Sequence, residues 1–147
     1  MSDAEHLAKV CATFNAAPYY VRLGIVAGSD GVGRSRVRLP FSDGLTQLYG
    51  GIHGGALMSL ADSALSVAIA TTLGDDEAIS TVAVSMFFLE PAGPNEIIAE
   101  GTLTRRGKRM AFAACTLSAD GRVIARAEGT CAIGSIDKIR ARQIGRT

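Results

Sequence analysis

Tryptophan is absent from this 147-residue chain, and Phe, Tyr and Trp together make up only 5% of it. A surface so short of aromatic rings is poorly suited to stacking on exposed nucleobases. Net charge is nearly absent too: fifteen Lys and Arg stand against fourteen Asp and Glu, a formal +1. That removes the electrostatic footprint expected of a nucleic-acid binder or of a protein drawn to anionic membranes. Histidine occurs twice and cysteine three times. Cys11, Cys115 and Cys131 form no CxxC pair and lie near no His pair. Neither a zinc site nor a disulfide framework is indicated, no metal or cofactor is expected, and the odd count fits a reducing cytosol. The opening MSDAEH has no basic stretch ahead of an apolar run, so no signal peptide is expected and the chain reads as cytoplasmic. A long uninterrupted apolar run is also missing. The nearest approach, Ile52 to Leu73, is rich in Ala and broken by Gly54, Gly55, Ser59, Asp62, Ser63, Ser66, Thr71 and Thr72. An Asp at a bilayer centre is costly and Ala drives insertion weakly, so this reads as a buried helix of a soluble protein without a membrane partner.

What is present describes one globular domain. Hydrophobic residues make up 48% of the chain and charged residues 20%, enough for a packed core without staples. The domain is assigned to residues 1–136. Residues 137–147 form a basic tail (Lys138, Arg140, Arg142, Arg146) expected to fray or lie on the surface. Ser2 with Glu5 is a capping-box pattern and predicts a helix over 3–14. Ala17-Pro18-Tyr19-Tyr20 then reads as a break. Strands are expected at 23–27 and 35–39, the second with Arg34, Arg36 and Arg38 alternating along one exposed side. Further strands are expected at 79–89, 96–105, 109–118 and 122–133. Pro91 and Pro94 separate the first two of these, Arg106-Gly107-Lys108 makes a turn between the next two, and Asp120-Gly121 is a two-residue hairpin signal. Consecutive strands joined by short turns imply an antiparallel sheet, and the class is α+β.

The central helix carries the chemistry. Between Asp43 and Asp75 the only formally charged residue is Asp62. Ser59, Asp62, Ser63 and Ser66 recur at i, i+3, i+4 and i+7, which is one helix face. A carboxylate in apolar surroundings needs partners. Two readings stand: the neighbouring serine hydroxyls satisfy Asp62 and the cluster is structural, or Asp62 is a catalytic group. His53-Gly54-Gly55 stands at the helix entrance, where backbone N–H groups lack intrahelical partners and glycine permits close approach. That end suits a carbonyl oxygen that becomes an oxyanion, although a sharp loop-to-helix turn would use the same glycines. Gly54 and Asp62 are separated along one helix by roughly 12 Å, too far to act on one small carbonyl group. If both are catalytic they come from different subunits, and the function requires a two-fold dimer with the site at its interface.

The run Gln47-Leu-Tyr-Gly-Gly-Ile-His53-Gly54-Gly55-Ala-Leu-Met-Ser-Leu-Ala-Asp62 resembles the signature of the hotdog-fold acyl-CoA thioesterases. The phenylacetate-degradation type and the related 4-hydroxybenzoyl-CoA thioesterases are the nearest. Thr81 to Ala92, Leu103 to Phe112 and Asp120 to Ala125 resemble the family's following strands and hairpins, so the likeness spans about residues 20 to 134. It implies a hotdog fold, a long central helix wrapped by a five- to six-stranded antiparallel sheet, dimerising edge to edge and able to form tetramers. It implies an enzyme that hydrolyses an aryl- or medium-chain acyl-CoA to a carboxylate and free coenzyme A, which enters as part of the substrate. By the same resemblance Gly54 offers its N–H to the thioester oxygen, and Asp62 is nucleophile or general base. Gln47 holds the thioester or water, Thr81 assists the carboxylate, and His53 orients the loop. Gly55, Phe88, Leu89, Glu90 and Pro91 are expected to line the substrate channel. The basic turn of Arg105, Arg106, Gly107, Lys108 and Arg109 is expected either to bind coenzyme A phosphates or to be a solvated turn. Family members often carry Asn where this chain has Gln47, or Glu where it has Asp62, so attack by the carboxylate and attack by water both stay open. An acyl-CoA-binding hotdog protein without hydrolysis, a sensor or carrier, is the alternative.

Overall fold

The structure, a computed structural model, describes residues 1–145. Helix α1 (Asp3–Asn15) starts on the expected capping box: the Ser2 hydroxyl accepts the Glu5 N–H at 3.2 Å and Glu5 accepts the Ser2 N–H at 2.7 Å. The segment read as a break and a strand differs. Pro18–Leu23 is a short helix, α2, with Pro at its first position and Gly24 closing it at φ 79°. Proline's fixed φ suits a helix start, and glycine tolerates the left-handed cap. Only Val26 then pairs with a strand, through a bridge to Arg38. The expected strand at 23–27 is therefore a single bridge.

Strand β1 (Arg34–Leu39) buries every second residue, Ser35, Val37 and Leu39, and turns the three arginines out. Helix α3 (Gly54–Ala70) follows a loop that includes a 3-10 turn at Asp43–Leu45. The strands β2 (Glu77–Phe88), β3 (Ile97–Arg106), β4 (Met110–Ala119) and β5 (Arg122–Ser135) complete one antiparallel sheet in the order β1-β3-β4-β5-β2. The sheet curls around α3, which buries Ala56, Leu57, Leu60 and Ala61 and every residue from Ser63 to Ala70. This is the hotdog arrangement. Close approach of helix and sheet depends on Gly101 and Gly129. A Cβ on Gly101 would lie 2.6 Å from the Ala64 carbonyl oxygen, and one on Gly129 would lie 2.8 Å from Leu65 Cδ1.

Two features position the site. β2 is an edge strand without a neighbour on its outer side, and Val82, Phe87 and Phe88 on it are exposed. It also carries a bulge between Thr81 and Ala83. Side chains alternate faces along a regular strand, so the extra residue lets Thr81 before it and Phe88 after it both face α3. The second difference from expectation is the tail. Residues Ile136–Gln143 form helix α4, capped by Ser135 with Asp137 in the first turn and Arg140 and Arg142 in the last. These are ordinary cap and dipole signals, and Gln143 Nε2 donates to Ser80 Oγ at 3.2 Å. Arg146 of the expected basic tail lies outside the described residues. Among those described, no helix is long and apolar enough to cross a membrane.

Candidate active site

The start of α3 is built by His53. Its backbone is extended, and its ring Nδ1 accepts the Gly55 N–H at 2.7 Å. The carbonyl of His53 takes the N–H groups of Ala56 and Leu57. Gly54 is thus the residue of the first turn whose N–H has no acceptor among the described residues. Phe88 shields it: a Cβ on Gly54 would lie 3.4 Å from the Phe88 ring. An unpaired N–H at the positive end of a helix dipole, beside an aromatic ring, is an electrostatic seat for a developing oxyanion. Gly55 offers no free N–H, because His53 has taken it.

Asp62 lies two turns further along α3. It is half-buried, and Thr81 Oγ1 donates to its Oδ1 at 2.8 Å. The serine stripe does not satisfy it. Ser59 Oγ donates to the Gly55 carbonyl at 2.9 Å and Ser63 Oγ to the Ser59 carbonyl at 2.7 Å, each hydroxyl closing on its own helix. Gly54, Gly55, Met58, Ser59 and Asp62 are the residues of α3 that are not buried. They form one continuous stripe from the helix start to the carboxylate. Behind Asp62 sits Cys131, whose thiol burial pushes above the ordinary range. Two tyrosines of α2 flank the stripe. Tyr19 reaches Ser59 Oγ with its phenol oxygen at 2.7 Å. Tyr20 is buried beside Ser63, and that burial, opposed by the Ser63 hydroxyl and reinforced by the Asp62 charge, pushes its phenol up to about 12.

The structure brings together Asp62 with Thr81, Gly54 with Phe88 and His53 with Gly55. It leaves other expected residues apart. Gln47 folds onto its own loop: its side-chain oxygen accepts the Tyr49 N–H and its backbone N–H reaches the Gly51 carbonyl at 2.7 Å. It makes no hydrogen bond to Gly54 or Asp62 in the protomer. Leu89 and Pro91 are exposed, and Glu90 pairs with Arg122 at 2.6 Å. The basic turn is divided. Arg105 lies with Thr104 and Phe112 on the outer sheet face. Arg106 pairs with Glu77. Lys108 and Arg109 line a groove whose far wall is Lys138 and Arg142 of α4. Arg106, Ala111, Cys131 and Thr81 share one row across the sheet, so the Arg106 backbone starts three strand spacings, roughly 14 Å, from Thr81.

Reading Ala17-Pro18-Tyr19-Tyr20 as a break misses Tyr19 and Tyr20. Pro at a first helical position and Gly24 six residues later were the available signals.

The family model described as the thioesterase superfamily matches residues 49–125, more than half of the chain, including the His53-Gly54-Gly55 entrance, Asp62 and Thr81. A thioesterase family protein from Silicibacter pomeroyi is 27% identical, with a TM-score of 0.82 over 87% of this chain and 97% of its own. A phenylacetic acid degradation-related protein from Ralstonia eutropha is 25% identical, with a TM-score of 0.77 over 86% of this chain and 98% of its own. The PaaI protein of the E. coli phenylacetic acid degradation operon is 22% identical, with a TM-score of 0.77 over 88% of this chain and 92% of its own, a likeness of fold. No curated protein sequence matches.

Proposed function

Since this chain belongs to the thioesterase superfamily, we propose that it hydrolyses an acyl-coenzyme A thioester at a site shared between two copies of itself. One observation carries the reading. The single carboxylate of α3 is held by Thr81 on an open stripe that ends at the unpaired Gly54 N–H. The two groups stand roughly 12 Å apart along the helix, so Asp62 of one protomer works with Gly54 of its partner, the helices running antiparallel across a two-fold axis. The unpaired edge of β2, with Val82, Phe87 and Phe88 exposed, supports pairing of two sheets through this strand. Two such dimers can associate into a tetramer.

The Gly54 N–H donates to the thioester oxygen and stabilises the negative charge that forms there. Asp62 either takes a proton from water, whose oxygen attacks the carbonyl carbon, or attacks that carbon itself and forms an anhydride that water then opens. The C–S bond breaks, coenzyme A leaves as thiolate and takes up a proton, and the acyl group leaves as carboxylate. Thr81 keeps one Asp62 oxygen fixed so that the other faces the reaction. Gln47 holds the attacking water from its loop. Phe88, Leu89 and Pro91 line the pantetheine path, and Lys108 and Arg109 meet the phosphates. Aryl and medium aliphatic acyl groups both suit the apolar neighbours. Three free thiols support a cytoplasmic setting.

The test is release of free thiol from a panel of aryl- and aliphatic-CoA thioesters by wild type and Asp62→Asn. Release that collapses in the variant while the dimer persists supports the reading. Equal release by both overturns the role of Asp62, and tight acyl-CoA binding without release marks a carrier or sensor.

A further inference from the structure

One charged groove is not explained by the stability of the fold. Along β5 the buried Cys131 and Ile133 face α3, so Gly134 faces the other way. A Cβ on Gly134 would lie 3.4 Å from Ile139 Cδ1. Helix α4 therefore lies back across the outer face of the sheet, where Gln143 also reaches Ser80. Between α4 and the turn joining β3 to β4 runs a groove of about 800 Å³, within the size range of small-ligand sites. Its floor is apolar: Met110, Ala132 and Ile139 lie along it, each partly exposed. Its walls carry Lys108 and Arg109 from the turn and Lys138 and Arg142 from α4. Two carboxylates close it where β2 starts. Glu77 is engaged by Arg106 and accepts the Gly74 N–H at 2.9 Å, which leaves Asp76 to face the four cations.

None of these four cations makes an ion pair among the described residues, whereas Arg34, Arg36, Arg38, Arg106 and Arg122 each do. Helix stability accounts for Arg142 alone. It sits in the last turn of α4, where the dipole favours a cation, but Lys138 is the third residue of the helix, at the positive end. Lys138 and Arg142 are also four residues apart, a spacing at which like charges destabilise a helix. The four cations repel one another until an anion joins them. An anion with an apolar body suits the groove better than a bare one. The base of a nucleotide covers the apolar floor, its phosphates meet Lys and Arg through charge-assisted hydrogen bonds, and Asp76 accepts from a base amine or a ribose hydroxyl.

We infer that the groove between α4 and the β3–β4 turn holds a nucleotide, its base on the apolar floor and its phosphates among Lys108, Arg109, Lys138 and Arg142. The source is either the 3′-phospho-ADP end of an acyl-CoA, in which case the inference rests on the reading above and α4 adds two groups to it, or a free nucleotide. The whole chain is titrated by calorimetry at one ionic strength with 3′-phospho-ADP, ADP and inorganic diphosphate. Wild type binds at least one nucleotide more tightly than diphosphate, and Lys138→Ala/Arg142→Ala weakens it about ten- to hundredfold. Lys108→Ala/Arg109→Ala gives a like loss, so a disturbed α4 does not account for it. Arg22→Ala/Arg140→Ala, which removes the same charge outside the groove, leaves the affinity unchanged. No nucleotide binding, affinity no better than that of diphosphate, no loss in the groove variants, or an equal loss in the control overturns the inference. Turnover then separates the sources. A KM that rises in the groove variants for acyl-CoA but not for acyl-pantetheine, with kcat kept, assigns the coenzyme's own end. Unchanged KM for both, with ADP binding lost, assigns a free nucleotide, and a KM raised alike for both overturns the assignment. If no thioester is hydrolysed, the hydrolase reading falls and the calorimetry still decides the groove.

Discussion

The two halves of α3 share Ala, Leu and Ser and do different things. From Ser63 to Ala70 every residue is buried, and the sheet comes so near that Gly101 and Gly129 leave no room for a Cβ. From Gly54 to Asp62 the helix shows an open stripe. Composition and coverage both separate the halves: Gly54, Gly55, Met58 and Asp62, of types absent from the rear half, stand on the open stripe. Their polar groups are also satisfied differently. A serine has a hydrogen to give, so Ser63 closes on the Ser59 carbonyl one turn back. A carboxylate only accepts, and a helix interior offers no spare N–H. Asp62 must draw its donor from another element, which is why Thr81 of β2 stands over it. A hydroxyl in such a helix can be a private matter, whereas a carboxylate ties the helix to the sheet edge.

The contrast between the halves can be broken from either side. The largest effect is expected at Asp62. Asn keeps the volume and loses the proposed base, and thiol release should fall by about two to four orders of magnitude, with the oligomeric state unchanged by sedimentation. Thr81→Ala removes a hydrogen bond to a charged acceptor and should lower kcat about ten- to hundredfold, while Thr81→Ser, which keeps the hydroxyl, recovers most of it in the same assay. In the rear half the damage is to stability. Gly101→Ala forces a methyl against the Ala64 carbonyl and should cost about 1–3 kcal/mol in urea unfolding. The last effect shows only in alkali and leaves neutral pH untouched. Burial raises the Tyr20 phenol from 10.0 to about 12 and the Cys115 thiol from 9.0 to about 12. Both folded-state values lie above the unfolded ones. Their contribution is therefore intact below about pH 9 and lost as pH rises toward 12, on the order of 2 kcal/mol for Tyr20. Melting temperatures across that range should fall, and Tyr20→Phe should flatten the part above pH 10.

Much of this was legible in the residues. The long helix, its start at His53, the strands from β2 to β5 and the Asp120-Gly121 turn followed from periodicity and turn chemistry, because each is decided locally. Pro18 and Gly24 are equally local, but Pro18 reads as a break and Gly24 as part of a strand over 23–27, and α2 is lost with them. The α4 helix was hidden by its charge: a run of basic residues without an apolar face looks like a tail, while its Ser135 cap was plain. Periodicity alone does not supply the partner of Asp62; only the family resemblance points to Thr81. Helical spacing offers three serines, and nothing in the helix says that their hydroxyls are turned to the backbone. The split of the basic turn among an outer face, Glu77 and α4 likewise depends on which way each side chain leaves the strand.

The bulge in β2 sets a phase. Thr81 and Phe88 are seven residues apart and would face opposite sides of a regular strand, but the bulge takes up one residue and both face the helix. Deleting Val82 would regularise the ladder and keep the donor to Asp62 and the ring over Gly54 on one face, whereas deleting a residue between Ala83 and Phe87 with the bulge kept would turn one of them away. The irregular strand and the candidate site are therefore one choice: bulge and strand length must change together, or Thr81 and Phe88 part without either being altered.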